Sequence, residues 1–189
     1  MRFVRLVPLL AAVASFIGCS DHAGAPSAPA TLSIMLKDTP YADARAVFVT
    51  FSDVSVRTSA GDFTTVAFAG NVSTRTCDLK QLINTPDLLA TSAPPTGHYT
   101  QIRLVVASAT LYFDNASSGP PCGAVLTVPA GRNSDVMVPS GEVRINQEFD
   151  VLSTKATMIQ LDFDGGKSVN LMGGGVFMLT PVVSVLNVQ

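Results

Sequence analysis

The chain has 189 residues with 12 basic and 14 acidic side chains, and its net charge at pH 7 is only −2. No basic patch interleaved with aromatic residues occurs, which argues against nucleic acid as a partner. Only 14 % of the residues are charged and tryptophan is absent, whereas valine, threonine, serine and glycine are plentiful. This composition favours a β-rich domain outside the cytoplasm over a helical one.

The N-terminal residues predict export and lipidation. Two arginines precede Leu6–Ile17, an uncharged and mostly apolar stretch of twelve residues that is too short to span a bilayer. Gly18-Cys19 follows, so residues 1–18 resemble a bacterial lipoprotein signal peptide, and Cys19 would become the acylated first residue of the mature protein. Ordinary secretion with an incidental cysteine is the alternative. Ser20 permits sorting to the outer membrane, so we expect a lipid-anchored protein of the bacterial cell envelope.

Residues 19–30 are interpreted as the lipidated cysteine and a flexible tether. The eleven residues after Cys19 are small or polar and reach at most about 36 Å when extended. From residue 31 onward, apolar and polar residues alternate as in half-buried strands, and no later apolar run is long enough to span a membrane. We therefore interpret residues 31–189 as one domain.

The alternating run of residues 47–56, the second predicted strand, contains a change of parity. Val47, Val49 and Phe51 fall on one face, but Val54 and Val56 fall on the other. Because side chains of a strand alternate strictly, this predicts a β-bulge or a break near Ser52-Asp53.

The remaining pattern predicts an all-β domain. Asp78–Ala90 is interpreted as a short strand or a single turn, because Pro86 stops any helix early, and Gly173–Gly175 as a hairpin turn. Nine or ten strands without a convincing amphipathic helix indicate a single antiparallel β-sandwich, prealbumin-like or immunoglobulin-like. Besides the strand that begins at residue 31 and the strand over residues 47–56, the predicted strands are Phe63–Ala69, Tyr99–Ala109, Ala124–Val128, Val136–Val138, Val143–Val151, Ala156–Phe163 and Val176–Val188.

Three cysteines are present. If Cys19 carries lipid, Cys77 and Cys122 remain as an even pair in an oxidising compartment, next to loop-forming residues. A disulfide between them is the preferred interpretation, and two independent buried thiols are the alternative.

Few residues are candidates for chemistry. His98 is the only histidine of the predicted fold, and we interpret it as a solvent-facing turn residue. Asp162 and Asp164, two apart at a strand end, are weak candidates for binding Ca²⁺; the alternative is a structural strand end in which Asp162 pairs with Arg103 or Lys167. We expect no metal site, no cofactor and no catalytic residues.

The chain resembles the bacterial and archaeal lipoprotein domain called domain of unknown function 4382. The resemblance implies a β-sandwich of the prealbumin or carboxypeptidase-regulatory type, and it carries over no catalytic residues because the family has no established function. The stretches that carry it are Leu36–Pro40, Val47–Val56, Thr96–Leu104, Val138–Gly141, Leu161–Asp164 with Lys167-Ser168, and Leu179–Val183.

These observations predict a non-catalytic envelope lipoprotein that acts as a binding or structural module. Its partners would be the lipid bilayer, through Cys19, and an envelope protein or glycan. One alternative is a subunit or anchor of a surface fibre that exchanges a terminal strand, for which Val176–Val188 is long enough. Another is a protein that binds a small ligand, a glycan or Ca²⁺, although the absence of tryptophan disfavours sugar stacking.

Overall fold

A computed structural model describes residues 30–189. Residues 1–29, which include the predicted signal peptide, Cys19 and nearly all of the tether, lie outside the described part. Within residues 30–189, no helix is both long enough and apolar enough to cross a membrane. The strands of this part are β1 (Leu32–Thr39), β2 (Ala46–Thr58), β3 (Phe63–Thr65), β4 (Arg75–Asp78), β5 (Asp87–Ser92), β6 (Gly97–Tyr112), β7 (Cys122–Gly123), β8 (Asn133–Met137), β9 (Glu142–Val151), β10 (Thr157–Asp164), β11 (Val169–Leu171), β12 (Phe177–Leu179) and β13 (Val183–Val188).

The strands form two sheets, which confirms the predicted all-β sandwich. The smaller sheet has the order β13-β10-β1-β5. The larger sheet has the order β11-β12-β8-β6-β2-β4-β7, with β3 paired to β2 and β9 paired to β6. Helical structure in residues 30–189 is limited to single turns at Leu79–Leu82, Gly165–Ser168 and Gly173–Gly175.

Most strand pairs are antiparallel, as predicted, but β1 pairs with β10 and β8 pairs with β12 in parallel. Both sheets are therefore mixed. Alternation of apolar residues determines which face of a strand is buried but carries no information about the direction of its neighbours. The sequence pattern alone therefore could not distinguish parallel from antiparallel pairs.

The hydrophobic core lies between the two sheets. Phe51 of β2 and Phe163 of β10 are fully buried and meet edge to face, with ring centroids 6.2 Å apart, so this contact joins the larger sheet to the smaller one. Tyr99 of β6 stacks on Phe149 of β9 at 5.3 Å, and its hydroxyl donates a hydrogen bond to the carbonyl of Pro95. Burying one such large apolar side chain stabilises a fold by roughly 1.5–3 kcal/mol.

Two predicted strands differ from the structure. Residues 124–128 form a loop, and Leu126 of this loop covers a small apolar cluster on the outer face of the larger sheet, formed with Ala46, Phe48 and Tyr112. The predicted strand at residues 63–69 likewise ends at Thr65, and only Phe68 makes a further isolated bridge, to Ala90. In residues 63–69 the apolar side chains of Val66 and Phe68 are buried without a continuous ladder, whereas in residues 124–128 only Leu126 is buried and Val125 and Val128 are exposed.

The predicted C-terminal strand, residues 176–188, is in fact two strands in different sheets. β12 belongs to the larger sheet and β13 to the smaller one. Pro181 lies at the crossing, where its missing N–H cannot support a ladder, and the next amide, of Val182, donates to the Ser168 hydroxyl. The segment that suggested the fibre alternative is therefore divided between the two sheets, and β13 (Val183–Val188) is its terminal strand. Gly173–Gly175 does form the predicted hairpin turn, between β11 and β12, with positive φ at Gly174 and Gly175.

Candidate functional site

The predicted irregularity in β2 is confirmed, and it determines what the outer face of the larger sheet presents. The pairing of β2 with β6 shifts register between Thr50 and Asp53, so Ser52 is the extra residue of a bulge. After it, Val54 and Val56 point into the core, and the residues between and beside them face outward. The bulge thus turns polar side chains away from the core while it keeps the valines inside.

The outward residues of β2, β6 and β9 form a grid of three rows. Their pairing follows from the register of β6 with β2 on one side and with β9 on the other. Across β2, β6 and β9 the rows are Arg57–Gln101–Asn146, Ser55–Arg103–Arg144 and Asp53–Val105–Glu142.

Three arginines of this grid surround one phenylalanine, and we call Arg57, Arg103, Arg144 and Phe63 the arginine cluster. Phe63 lies on β3, directly opposite Arg57. The guanidinium carbon of Arg103 lies 4.3 Å from the ring centroid of Phe63, and those of Arg57 and Arg144 each lie at 5.8 Å. A cation over an aromatic ring contributes about 0.5–2 kcal/mol, so the ring holds these side chains in place.

Two of the three guanidinium groups are neutralised. Arg103 lies 3.0 Å from a carboxylate oxygen of Asp53, and Arg144 lies 2.6 Å from one of Glu142. Arg57 has no carboxylate partner within residues 30–189; its Nε donates to the carbonyl of Gly61 at 3.0 Å. The grid therefore carries one uncompensated positive charge, and it is located at Arg57.

An open cavity of about 400 Å³ adjoins Arg57. Within it, the Gln101 side chain donates from Nε2 to Oδ1 of Asn146 at 2.7 Å. Oε1 of Gln101 is buried and has no hydrogen-bond partner among the described residues. A buried acceptor without a donor costs free energy, so rotation of this carboxamide toward the cavity would let a ligand donor satisfy its oxygen. The lining consists of Arg57, Thr58, Ser59, Thr100, Gln101 and Asn146.

A second cavity, of about 540 Å³, lies near the opposite end of β2 and β6. Asp43, Arg45 and Lys80 contribute charges of both signs to its lining. Lys80 already donates to the carbonyl of Tyr41 at 2.9 Å. Because its charges oppose one another, this cavity indicates no particular class of ligand.

The sequence-predicted acidic pair, Asp162 and Asp164, lies at the end of β10, and we call it the acidic strand end. Asp162 accepts a hydrogen bond from the hydroxyl of Thr39 on β1, at 3.1 Å. Asp164 accepts from both the amide and the ammonium group of Lys167, and the latter hydrogen bond lowers the pKa of Asp164. Arg103, one of the partners suggested for Asp162, lies in the other sheet and pairs with Asp53.

A third carboxyl group, which the sequence did not single out, lies beside the acidic strand end. Asp38 is only 2 % exposed, and its Oδ1 accepts from the amide of Gly165 at 3.1 Å, whereas Oδ2 has no partner in the described chain. Burial raises the pKa of Asp38 from 3.8 to about 7. Even with Asp38, no group of three or more potential metal-ligating side chains that could hold an ion is found in residues 30–189.

The predicted disulfide is confirmed. Cys77 of β4 and Cys122 of β7 are directly paired across the ladder, bonded, and 4.1 Å apart at Cα. The bond ties the short edge strand β7 to the larger sheet.

His98 is exposed at the start of β6, as predicted, and its Nδ1 lies 2.9 Å from a carboxylate oxygen of Asp150. Cys19, the predicted lipidation site, lies outside the described residues.

Sequence reasoning missed the arginine cluster although one of its signals was visible. The change of parity in β2, which was visible in the sequence, is what turns Asp53 and Arg57 away from the core. The pattern could not predict the alignment of four strands, β3, β2, β6 and β9, which brings Arg144 and Phe63 to Arg103.

Comparison with known families gives one match. The model of the family described as Domain of unknown function (DUF4382) matches residues 29–181. No significant match was found among curated proteins or among solved structures. The match covers most of the sequence and nearly all of the sandwich, so the chain belongs to the DUF4382 family.

Proposed function

We propose that this protein is a non-catalytic, lipid-anchored lipoprotein of the cell envelope that binds a ligand on the outer face of its larger sheet. The observation that carries the binding role is the uncompensated guanidinium of Arg57 at the mouth of an open cavity. Ligand sites are typically concave, of roughly 300–1,000 Å³, with a few convergent polar groups.

The chemistry of the lining supports binding rather than catalysis. The cavity offers a guanidinium, hydroxyl groups and carboxamides. General acid–base catalysis needs a group that gains or loses a proton near neutral pH, and none of these side chains does so. Asp38 has a raised pKa, but at 2 % exposure its carboxyl group is closed off from a substrate in solution.

The anchoring role rests on the sequence of residues 1–19. A basic segment, a short apolar stretch and Gly18-Cys19 are the features of a lipoprotein signal peptide. A lipidated Cys19 followed by a tether of eleven residues would hold the sandwich within about 36 Å of a membrane surface, where it could meet envelope components.

A thermal-shift titration tests the binding role. The protein is purified in detergent and titrated with a panel of small anionic, neutral and cationic solutes. A ligand that binds only the folded state stabilises it by about 2.7 kcal/mol at a hundred times its dissociation constant, so its melting temperature rises with concentration. We expect at least one solute to produce such a rise in the wild type and to lose it in Arg57→Gln.

The matched control is Arg45→Gln. Arg45 is exposed and, like Arg57, forms no ion pair within the described residues, so this variant removes the same charge far from the arginine cluster. It should respond like the wild type. If no solute gives a rise that depends on Arg57, the proposed binding face is wrong.

A further inference from the structure

We propose that the cavity beside Arg57 binds a hydroxylated carboxylate, the chemistry of a uronic acid residue. This inference rests on the proposed binding role and specifies its ligand. Three features of the cavity determine the class: its charge, an unsatisfied acceptor, and the absence of a free aromatic face in the lining.

The charge of the site matches a single carboxylate. Asp53 and Glu142 neutralise Arg103 and Arg144, so the arginine cluster retains the charge of Arg57 alone. Nε of Arg57 is held by Gly61, and its two terminal nitrogens have no hydrogen-bond partner among residues 30–189. A guanidinium whose terminal nitrogens are free presents donors spaced to receive the two oxygens of a carboxylate. A phosphate dianion would leave one negative charge uncompensated.

The unsatisfied acceptor requires a ligand that also carries a donor. Oε1 of Gln101 lies unpaired beside Arg57 in the same row of the grid, and when the carboxamide turns toward the cavity a bare anion cannot donate to this oxygen. A hydroxyl group of the ligand can. Thr58, Ser59 and Thr100 add hydroxyl groups to the lining, each of which can both donate and accept. An anion with neighbouring hydroxyl groups satisfies both requirements.

The third feature is that the lining offers no free aromatic face, so a sugar acid would bind here without stacking on a ring. Phe63, the ring that contacts Arg57, is covered by the guanidinium of Arg103 at 4.3 Å, so it has little face to offer a sugar. Recognition would therefore come from the ionic pair and hydrogen bonds. Such a site rejects analogues that lack the matching groups, because the polar atoms of the site are then left unpaired.

Isothermal titration calorimetry of the detergent-purified protein tests the class. The probes are galacturonate, its linear trimer, galactose, which lacks the carboxylate, and cyclohexanecarboxylate, which lacks the hydroxyl groups. We expect galacturonate to bind at least about tenfold more tightly than galactose, since a hydrogen bond to a charged group contributes that much. It should bind roughly three- to tenfold more tightly than cyclohexanecarboxylate, since neutral hydrogen bonds contribute less. Tighter binding of the trimer would identify a polysaccharide as the source, and equal binding a free sugar acid.

The variants separate recognition from folding. Arg57→Gln should weaken galacturonate binding about 10- to 100-fold, and Arg57→Lys, which keeps the charge but loses the planar fork, should also weaken it. Gln101→Leu should weaken galacturonate binding while it leaves cyclohexanecarboxylate binding unchanged. Arg45→Gln is the matched control, and circular dichroism with a thermal melt verifies that each variant is folded.

The outcomes for the ligand class and for the binding role are distinguishable. If galacturonate binds no more tightly than galactose, or if Arg57→Gln and Arg57→Lys bind it like the wild type, the ligand class is wrong. If other solutes nevertheless give Arg57-dependent thermal shifts, the binding role stands without this ligand. If no solute does, both proposals are refuted.

Discussion

Ionisation of Asp38 should make the protein less stable as the pH rises, and Asp38→Asn should abolish this effect. Asp38 keeps its proton in the folded state because burial raises its pKa from 3.8 to about 7. The nearby carboxylates of Asp162 and Asp164 raise the pKa further, whereas the amide of Gly165 and the ammonium of Lys80 act in the opposite direction. Between pH 4 and 7 the folded state therefore binds a proton that the unfolded chain releases.

The sign and size of the effect follow from proton linkage. A group whose pKa is higher in the folded state than in the unfolded state contributes fully to the unfolding free energy at a pH below its unfolded pKa. This contribution is lost as the pH rises to its folded pKa. For a shift from 3.8 to about 7, the loss is at most about 4 kcal/mol of unfolding free energy. Asparagine cannot ionise and retains an oxygen that can accept from Gly165. The stability of Asp38→Asn relative to wild type should therefore rise by about 2–4 kcal/mol between pH 4.5 and pH 8.

Urea unfolding followed by circular dichroism, with the disulfide intact, measures this difference at half-unit steps from pH 4.5 to 8.5. The matched control is Asp62→Asn, which changes an exposed carboxylate and should follow the wild-type curve. Parallel curves for wild type and Asp38→Asn across the whole range would refute the assignment of a raised pKa to this buried group.

Three further predictions concern the cysteines and the acidic strand end. Replacing Cys77 and Cys122 together by alanine should lower the unfolding free energy by up to roughly 4 kcal/mol in urea titrations, and free thiols at both positions in the wild type would contradict the disulfide. Cys19→Ser should move the protein from the membrane fraction to the soluble fraction; unchanged fractionation would exclude lipid anchoring at this residue. Calcium should leave the melting temperature unchanged, and a concentration-dependent rise that Asp164→Ala abolishes would show instead that this end binds the ion.

The parts of the fold that could be predicted from the sequence are those fixed by local alternation. The pattern at Leu32, Ile34 and Leu36 gave the buried face of β1, and the long central strand β6 was recognised from Ile102, Leu104 and Val106. The disulfide could be predicted because Cys77 and Cys122 remained as an even pair once Cys19 was set aside as the predicted lipidation site.

The parts that could not be predicted depend on which strands become neighbours. The apolar alternation of residues 176–188 continues across Pro181, although the chain passes there from one sheet to the other. Asp38 belongs to a run that alternates inward, and its parity already placed it on the core side. Only the parallel pairing of β1 with β10 shows why a carboxyl group is tolerated there, because it brings the amide of Gly165 to Asp38.

The bulge in β2 was predicted from the sequence, and it also determines which side chains form the candidate site. Without the extra residue at Ser52, the alternation that buries Val49 and Phe51 would continue to Asp53 and Arg57 and would place two charged side chains in the core. With it, Asp53 reaches Arg103 and Arg57 reaches the cavity, while Val54 and Val56 stay buried. The Arg103–Asp53 ion pair removes the charge at the centre of this face, and in the proposed binding role Arg57 supplies the charge that selects the ligand.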